Sequence, residues 1–251
     1  MVSYEVIESI VRHVVNNLDP IARFGRPRKY DILKVWYRIQ RMLRSSQPWS
    51  MMEEPGFSHK TLHRIFIRWC RLGVFQKIHS VILKLYRMKH PLKSDRYYAT
   101  DTTFVKNIYG TQTIGRNPTD RGRSATKLSV IINQDGCVSN LVMFPANVSD
   151  QRVLQRTLYR AQLRRGVAMH ADKGYDSASN RNLLHQNGLL DRISRRGQRR
   201  YRNAARKRIV VEHFFGRLKQ HRRIRNRYDK LDVTFGSFCT LACTCMALRR
   251  L

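Results

Sequence analysis

The hydrophobic period of this chain changes near residue 93, and that change limits its fold more than any other feature. Before it, apolar residues recur at three- and four-residue spacing; after it, they come in β-branched and aromatic runs bounded by turn signals. In YEVIESIVRHVVNNL, Val6, Ile10 and Val14 stand four apart. YDILKVWYRIQRMLRS places Ile32, Val35, Trp36, Ile39 and Met42 or Leu43 on one face, which predicts an amphipathic helix of about four turns. Ser58 is placed to cap HKTLHRIFIRWCRLGVF, Gly73 lies near the end of that segment, and a further helix is predicted through FQKIHSVILKLYRM. The basic GRPRK between the first two helices reads as a turn. Such a set is similar in type to a helix-turn-helix arrangement, and a plain helical bundle produces the same pattern. Residues 1–92 are therefore expected to form an all-helical domain, helix-turn-helix-like and DNA-binding on the first of these two readings, and 93–251 a second domain.

In that second part RYYATDTTFVKN, TKLSVIINQDG and VSNLVMFPAN read as three strands, with Asp135-Gly136 a hairpin signal that suits positive φ. Ser149 or Asp150 is placed to cap the helix QRVLQRTLYRAQLRRG. VAMHAD is a short apolar strand, SASNRNLLHQNG a helix, LLDRISR a last strand and ARKRIVVEHFFGRLKQHRRI the closing helix. The order β-β-β-α-β-α-β-α predicts an α/β fold, a mixed sheet flanked by helices. SRRGQRRYRNAARKR reads as a basic loop.

Charge narrows the partner. The 251 residues carry 49 Lys and Arg against 17 Asp and Glu, a net +32 spread along the chain, which points to a polyanion and best to nucleic acid. Cys70, Cys137, Cys239, Cys243 and Cys245 form an odd set without C-x-x-C pairs; this argues against a zinc knuckle or a disulfide framework and for a reducing interior. Cys239 and Cys243 lie four apart in an apolar run and read as small buried hydrophobes. No run approaches the ~18 apolar residues of a membrane span. The expected setting is the cytoplasm, or the nucleus in a host that has one, on DNA, with no membrane.

Three acids stand where a core would place apolar groups: Asp101 in mid-strand, Asp172 at the end of VAMHAD, and Glu212 inside IVVEHFF. A carboxylate in an apolar run costs desolvation energy unless it is paired or binds a cation. Each alone reads equally as an acid paired with one of the many arginines. Converging, they would repel one another unless a divalent metal intervened, and oxygen ligands suit Mg²⁺ or Mn²⁺. Asp120, Asp150 and Asp176 are weaker candidates, read as a loop acid, a helix cap and a turn acid. His170 shares the strand face of Asp172, and His213 points away from Glu212 around its helix.

ATDTTFVK, GRNPTDRGRSATKLSVIINQDG, HADKGYDS and RIVVEHFFGRLKQHRRIRNRYDKL, in this order, resemble the DDE transposases of bacterial insertion sequences, in the group of insertion sequences four and five; GRPRKYD, PWSMM and TLHRIFIRWCRLGVF are similar to that group's helical N-terminal region. The resemblance implies an RNase H-like catalytic domain with a mixed five-stranded sheet, Asp101, Asp172 and Glu212 as catalytic and metal-binding triad, and two Mg²⁺ or Mn²⁺ ions. It also implies cleavage at transposon inverted-repeat ends, strand transfer into target double-stranded DNA, and a homodimer on DNA. The group's signature around the glutamate is Tyr, two residues, Arg, three residues, Glu, six residues, Lys; Arg208, Glu212 and Lys219 fit it, and Ala205 stands at the tyrosine position, with Tyr201 one turn away. Arg208 and Lys219 are expected to hold DNA phosphate, and Arg116, Arg121 and Arg123 to grip the backbone from their loop. A non-cleaving DNA-binding descendant and a structure-specific nuclease of the same fold are the alternatives.

Overall fold

The computed structural model describes residues 4–20, 30–91, 95–195 and 202–251, with the side chains of 202–206 excepted. The GRPRK turn, the start of the second domain at Lys93, most of the basic loop, Tyr201 and the side chain at Ala205 lie outside the described residues.

Four helices come first: α1 (Tyr4–Leu18), α2 (Ile32–Ser45), α3 (His59–Arg71) and α4 (Val74–Lys89), with a 3₁₀ turn at Trp49–Met52. Ser58 caps α3 by accepting from the Lys60 N–H at 3.1 Å, as its position predicts. Gly73 turns the chain between α3 and α4 at φ +71°, a conformation that side chains with a Cβ resist. Asp31, unremarked in the sequence, caps α2 by accepting from the N–H groups of Leu33 and Lys34. The expected stripe of α2 is buried, whereas on α1 the buried face is Val11, Val14 and Val15 and Val6 is exposed. A four-residue spacing drifts around a helix of 3.6 residues per turn, so a stripe drawn through Val6 leaves the core.

The sheet follows, built from β1 (Tyr97–Asn107), β2 (Gly115–Arg116), β3 (Ser124–Asn133), β4 (Val138–Pro145), β5 (Ala168–Ala171), β6 (Leu190–Ile193) and β7 (Asn226–Arg227). Its five main strands lie in the order β4-β3-β1-β5-β6, with β4, β3 and β1 antiparallel and β5 and β6 running parallel to β1. This is the mixed five-stranded, RNase H-like sheet that was expected, with two-residue β2 and β7 added at its margins. Gly136 alone takes the positive φ of the β3–β4 hairpin, while the Asn133 side chain accepts from the Asp135 and Cys137 N–H groups.

Helices cover both faces. On one, α5 (Asp150–Leu158) and α6 (Ala178–Gln186) bury Val153, Leu154 and Leu184 against Tyr98 and Ile131. On the other, α7 (Arg202–Leu218) and α9 (Asp232–Leu248) bury Val211, Phe214 and Phe238 against Ala99, Val105 and Val130; a single turn, α8 (Arg222–Arg225), joins α7 to β7. The α5 helix is shorter than its pattern predicts. It ends at Leu158 because the Asn140 amide, reaching from β4, donates to the Thr157 and Tyr159 carbonyls, and Arg160 then turns out at φ +64°. Among the described residues, no helix is long and apolar enough to cross a membrane.

The helical region and the sheet share one core. Helices α3 and α4 pack on α9, and Phe66 meets Phe238 with ring centroids 4.6 Å apart. Cys239 and Cys243 are fully covered there, as their spacing suggested.

Candidate active site

The site begins as a gap in the sheet. On one edge of β1, β5 pairs with residues 97–99 and β7 with 106–107. Between them, among the described residues, 100–105 have no strand beside them on this edge, and Asp101 lies in that interval. Asp172 follows the last residue of β5 and opens the 3₁₀ turn Lys173–Tyr175. Because β5 runs parallel to β1, its end delivers Asp172 to the same interval.

The two acids are joined by a residue of a third element. Arg208 of α7 donates from Nη1 to the Asp172 carboxylate at 2.9 Å, and its Nη2 lies 3.6 Å from Asp101 Oδ2. The side chains retain 22% exposure at Asp101 and 34% at Asp172, against 15% at Arg208. Burial pushes the Asp101 carboxyl above the usual range; the Thr102 N–H, donating at 2.8 Å, and the Arg208 charge pull it down, while Asp150 and Asp172 push it up further. One guanidinium thus stands against a partly buried pair of acids. Arg208 Nε is buried without an acceptor.

Glu212 is on α7, one turn beyond Arg208, and its side chain is exposed. Among the described residues, no three His, Cys, Asp or Glu side chains stand close enough together to hold a metal ion. The structure therefore brings Asp101 and Asp172 together and leaves Glu212 in solvent on the neighbouring helix. The donor chemistry still fits a hard divalent cation: the acids offer oxygen only, and a cationic group already sits between two of them.

The expected phosphate-binding residues are dispersed. Lys219 follows the end of α7, whose rise puts it roughly 16 Å along the axis from Arg208; burial lowers its pKa. Arg116, Arg121 and Arg123 are exposed on the hairpin between β2 and β3, where Arg123 pairs with Asp120 at 3.7 Å. That hairpin lies beyond β7 at the C-terminal end of β1 and pairs with the edge of β3 opposite β1.

Several residues behave differently from their sequence reading. Ser149, not Asp150, occupies the N-cap of α5, and it makes no side-chain cap bond. The Asp150 carboxylate instead accepts from Lys127 Nζ and Thr102 Oγ1, both at 2.9 Å, behind the strand that carries Asp101. A Cβ at Gly174 would stand 3.3 Å from Asp150 Oδ2, so the turn after Asp172 packs directly on this carboxylate. Lys127 is 5% exposed, a buried cation that alternation in TKLSVIIN could have flagged. His170 is buried with neither ring nitrogen partnered; burial, with Lys207 and Arg192 nearby, lowers its pKa to about 4 and keeps it neutral. Asp176 pairs with Arg181 at 2.7 Å, and His213 is exposed. A groove of about 550 Å³ between β4, α4 and α9 is not lined by Asp101, Asp172 or Arg208.

Similarity to known proteins gives the family. The putative transposase for insertion sequence element IS402 of Burkholderia cepacia is 30% identical over 160 residues, 59% of this chain and 76% of that protein. The transposase for insertion sequence element IS1106 of Neisseria meningitidis serogroup B is 37% identical over 101 residues, 36% of this chain and 34% of that one. Among solved structures, the piggyBac transposase synaptic complex with hairpin DNA aligns with 79% of this chain and 50% of its own at 9% identity and a TM-score of 0.40. The Mos1 transposase paired-end complex aligns with 90% of this chain and 81% of its own, at 12% identity and a TM-score of 0.27. Both superpositions are partial, so membership is decided by sequence. With residues 93–247 matching the family described as Transposase DDE domain, and with the Burkholderia relative similar across three quarters of its length, the chain belongs to the DDE transposases of the insertion-sequence type.

Proposed function

We propose that the protein cleaves DNA at the ends of an insertion element and joins the freed 3′ hydroxyl to target DNA, working as a homodimer on paired ends. The observation that carries this reading is the pair Asp101 and Asp172, set across the gap in the sheet and linked by Arg208. Asp101, Asp172 and Glu212 would hold two Mg²⁺ or Mn²⁺ ions. Such ions activate a water or hydroxyl nucleophile and stabilise the leaving oxygen of an in-line phosphoryl transfer. The chain's own residues do the rest. Asp101 is fixed by a strand whose other edge is fully paired with β3, and Asp172 by the turn packed on Asp150. Glu212 rides on a helix anchored through Val211 and Phe214, and would join the other acids by rotation of its side chain. Arg116, Arg121 and Arg123 offer DNA-backbone contacts from the β2–β3 hairpin. Residues 1–92 read the end sequence, and 93–251 carry the chemistry.

The test is a supercoiled plasmid bearing the inverted repeats that flank the gene. Wild-type protein with Mg²⁺ should nick it at the repeat ends, whereas Asp101→Asn should abolish nicking and leave end binding within a few fold. Nicking by Asp101→Asn at the wild-type rate would sink the assignment. A non-cleaving DNA-binding protein is the second reading, favoured by the open position of Glu212. It predicts duplex binding and no Mg²⁺-dependent nicking by the wild type.

A further inference from the structure

Arg208 has three nitrogens to satisfy, and the site satisfies them unevenly. Nη1 makes one good bond to Asp172, Nη2 stands at 3.6 Å from Asp101, beyond hydrogen-bond distance, and Nε is buried with no acceptor. A guanidinium presents planar, paired donors suited to two oxygens of one carboxylate or phosphate. Here no such pair of oxygens is offered to it. Arg208 acts instead as a single cation stretched between two anions.

Its backbone cannot follow a ligand. Helix α7 is held by Val211, Phe214 and Leu218, all fully buried, and Lys207, the preceding residue, lies with its ammonium 5.4 Å over the Tyr97 ring. Whatever moves is the side chain. A divalent cation bound by Asp101 and Asp172 would share those oxygens with a guanidinium of the same sign, in a partly buried place where like charges are poorly screened. Both cannot occupy the acids at full strength.

We propose that Arg208 is a displaceable counter-ion: it holds Asp101 and Asp172 together in the metal-free protein, competes with divalent metal for them, and once released presents its paired donors to a DNA phosphate. Metal and phosphate binding are thereby coupled through one side chain. This role rests on the acid-site reading above and goes beyond it, because a residue that merely grips phosphate would leave metal affinity of the DNA-free protein unchanged. It assigns Arg208 an inhibitory effect in the absence of DNA and a favourable one in its presence.

The experiment is a Mn²⁺ titration of the full chain without DNA, following loss of the free Mn²⁺ signal by electron paramagnetic resonance. Arg208→Gln should bind Mn²⁺ at least about five-fold more tightly than wild type, the lower end of ordinary coupling between sites. Arg208→Lys, which keeps a cation and loses the fork, should fall between the two. The gain should vanish when Asp101→Asn is added to Arg208→Gln. In the wild type, a short mixed-sequence duplex should tighten Mn²⁺ by the same factor as Mn²⁺ tightens the duplex, and Arg208→Gln should shrink that factor. Equal or weaker Mn²⁺ binding by both Arg208 variants overturns the proposal. If that result comes with weakened binding in Asp101→Asn alone, the acids still hold metal and only the counter-ion role has failed. If Asp101→Asn also changes nothing, the acid-site reading fails with it. Should Arg208→Gln not fold, Arg208→Lys and the wild-type coupling decide on the same terms.

Discussion

Asp101 occupies a position where its surroundings make ionisation costly. Burial is the largest influence on its carboxyl and raises its pKa, and the help of the Thr102 N–H and Arg208 does not cancel it. For an acid whose pKa is higher in the folded chain, the folded state holds the proton more tightly, so stability declines as pH rises from the ordinary carboxylate value through the folded one. Asp101→Asn should therefore raise the melting temperature by a few degrees at pH 7, and this advantage should fade towards pH 4, as scanning calorimetry at both values would read. An equal gain at both would show that the cost does not come from charge. The acid itself was legible, since a carboxylate inside YYATDTTFVKN needs a reason. Its partner was not: Arg208 lies more than a hundred residues away in sequence, and the helical spacing that ties it to Glu212 says nothing of Asp172. The spacing of Arg208, Glu212 and Lys219 puts them near one face of a helix, but it does not report that Arg208 turns to the acids while Glu212 stays exposed.

At the scale of elements, β1, β3, α5 and the turn after Asp172 meet at Asp150. Lys127 from β3 donates both to this carboxylate and to the Val148 carbonyl at 2.5 Å, and Thr102 from β1 adds a third bond. Removing one member of such a pair leaves a charge in the interior, whereas replacing both by apolar groups need not destabilise. Asp150→Ala should cost about 3 kcal/mol in urea unfolding, the low end for buried pairs because Asp150 keeps a third of its side chain in water. Lys127→Met combined with Asp150→Leu should recover most of that loss. A double variant no more stable than Asp150→Ala would show that the carboxylate acts through Thr102 and Gly174 and not through the ammonium. Sequence reading took Asp150 for a cap because Ser and Asp precede the helix together. A cap bond is a local contact, but the stronger claim on this carboxylate comes from two strands, and no local rule reports it.

For the whole molecule, the helical region and the sheet are one packed body around α9. Ten residues of α9 are buried, including Phe235, Phe238 and Leu241, because α3 and α4 cover one side and β4 the other. Such a helix has no solvent face to keep if the first ninety residues are removed. The protein contains three tryptophans, Trp36, Trp49 and Trp69, all in the helical region, so their fluorescence reports that region alone. Urea transitions followed by tryptophan fluorescence and by amide exchange in β3 should coincide, and Phe238→Ala should shift both by about 3–5 kcal/mol. Two separated transitions would make the helices an independent unit. The charge also divides at this scale. Arg227 is fully buried, donating to Thr126 Oγ1, the Asp229 carbonyl and Asp232, and Arg223 pairs with Asp229 in the core. These cations hold the fold and add nothing to the counter-ions released on DNA.

By itself the sequence determined the order and type of the main elements as far as α7, because the period of apolar residues is a local record of which faces are buried; it ran the closing helix through to Ile224, where the structure ends it at Leu218, and its order of elements left out β2, β7 and α9. It also determined that one acid stands within the first strand at 101 and another just after a short apolar strand at 172, and that the chain belongs with basic, nucleic-acid-binding proteins. Tertiary structure alone decided which charges are neighbours. It set Arg208 between Asp101 and Asp172, turned Asp150 and Lys127 inward, buried Arg227, and left Glu212 in water. Charge pairing depends on distances across strands and helices far apart in the chain, and no periodicity along one segment encodes them.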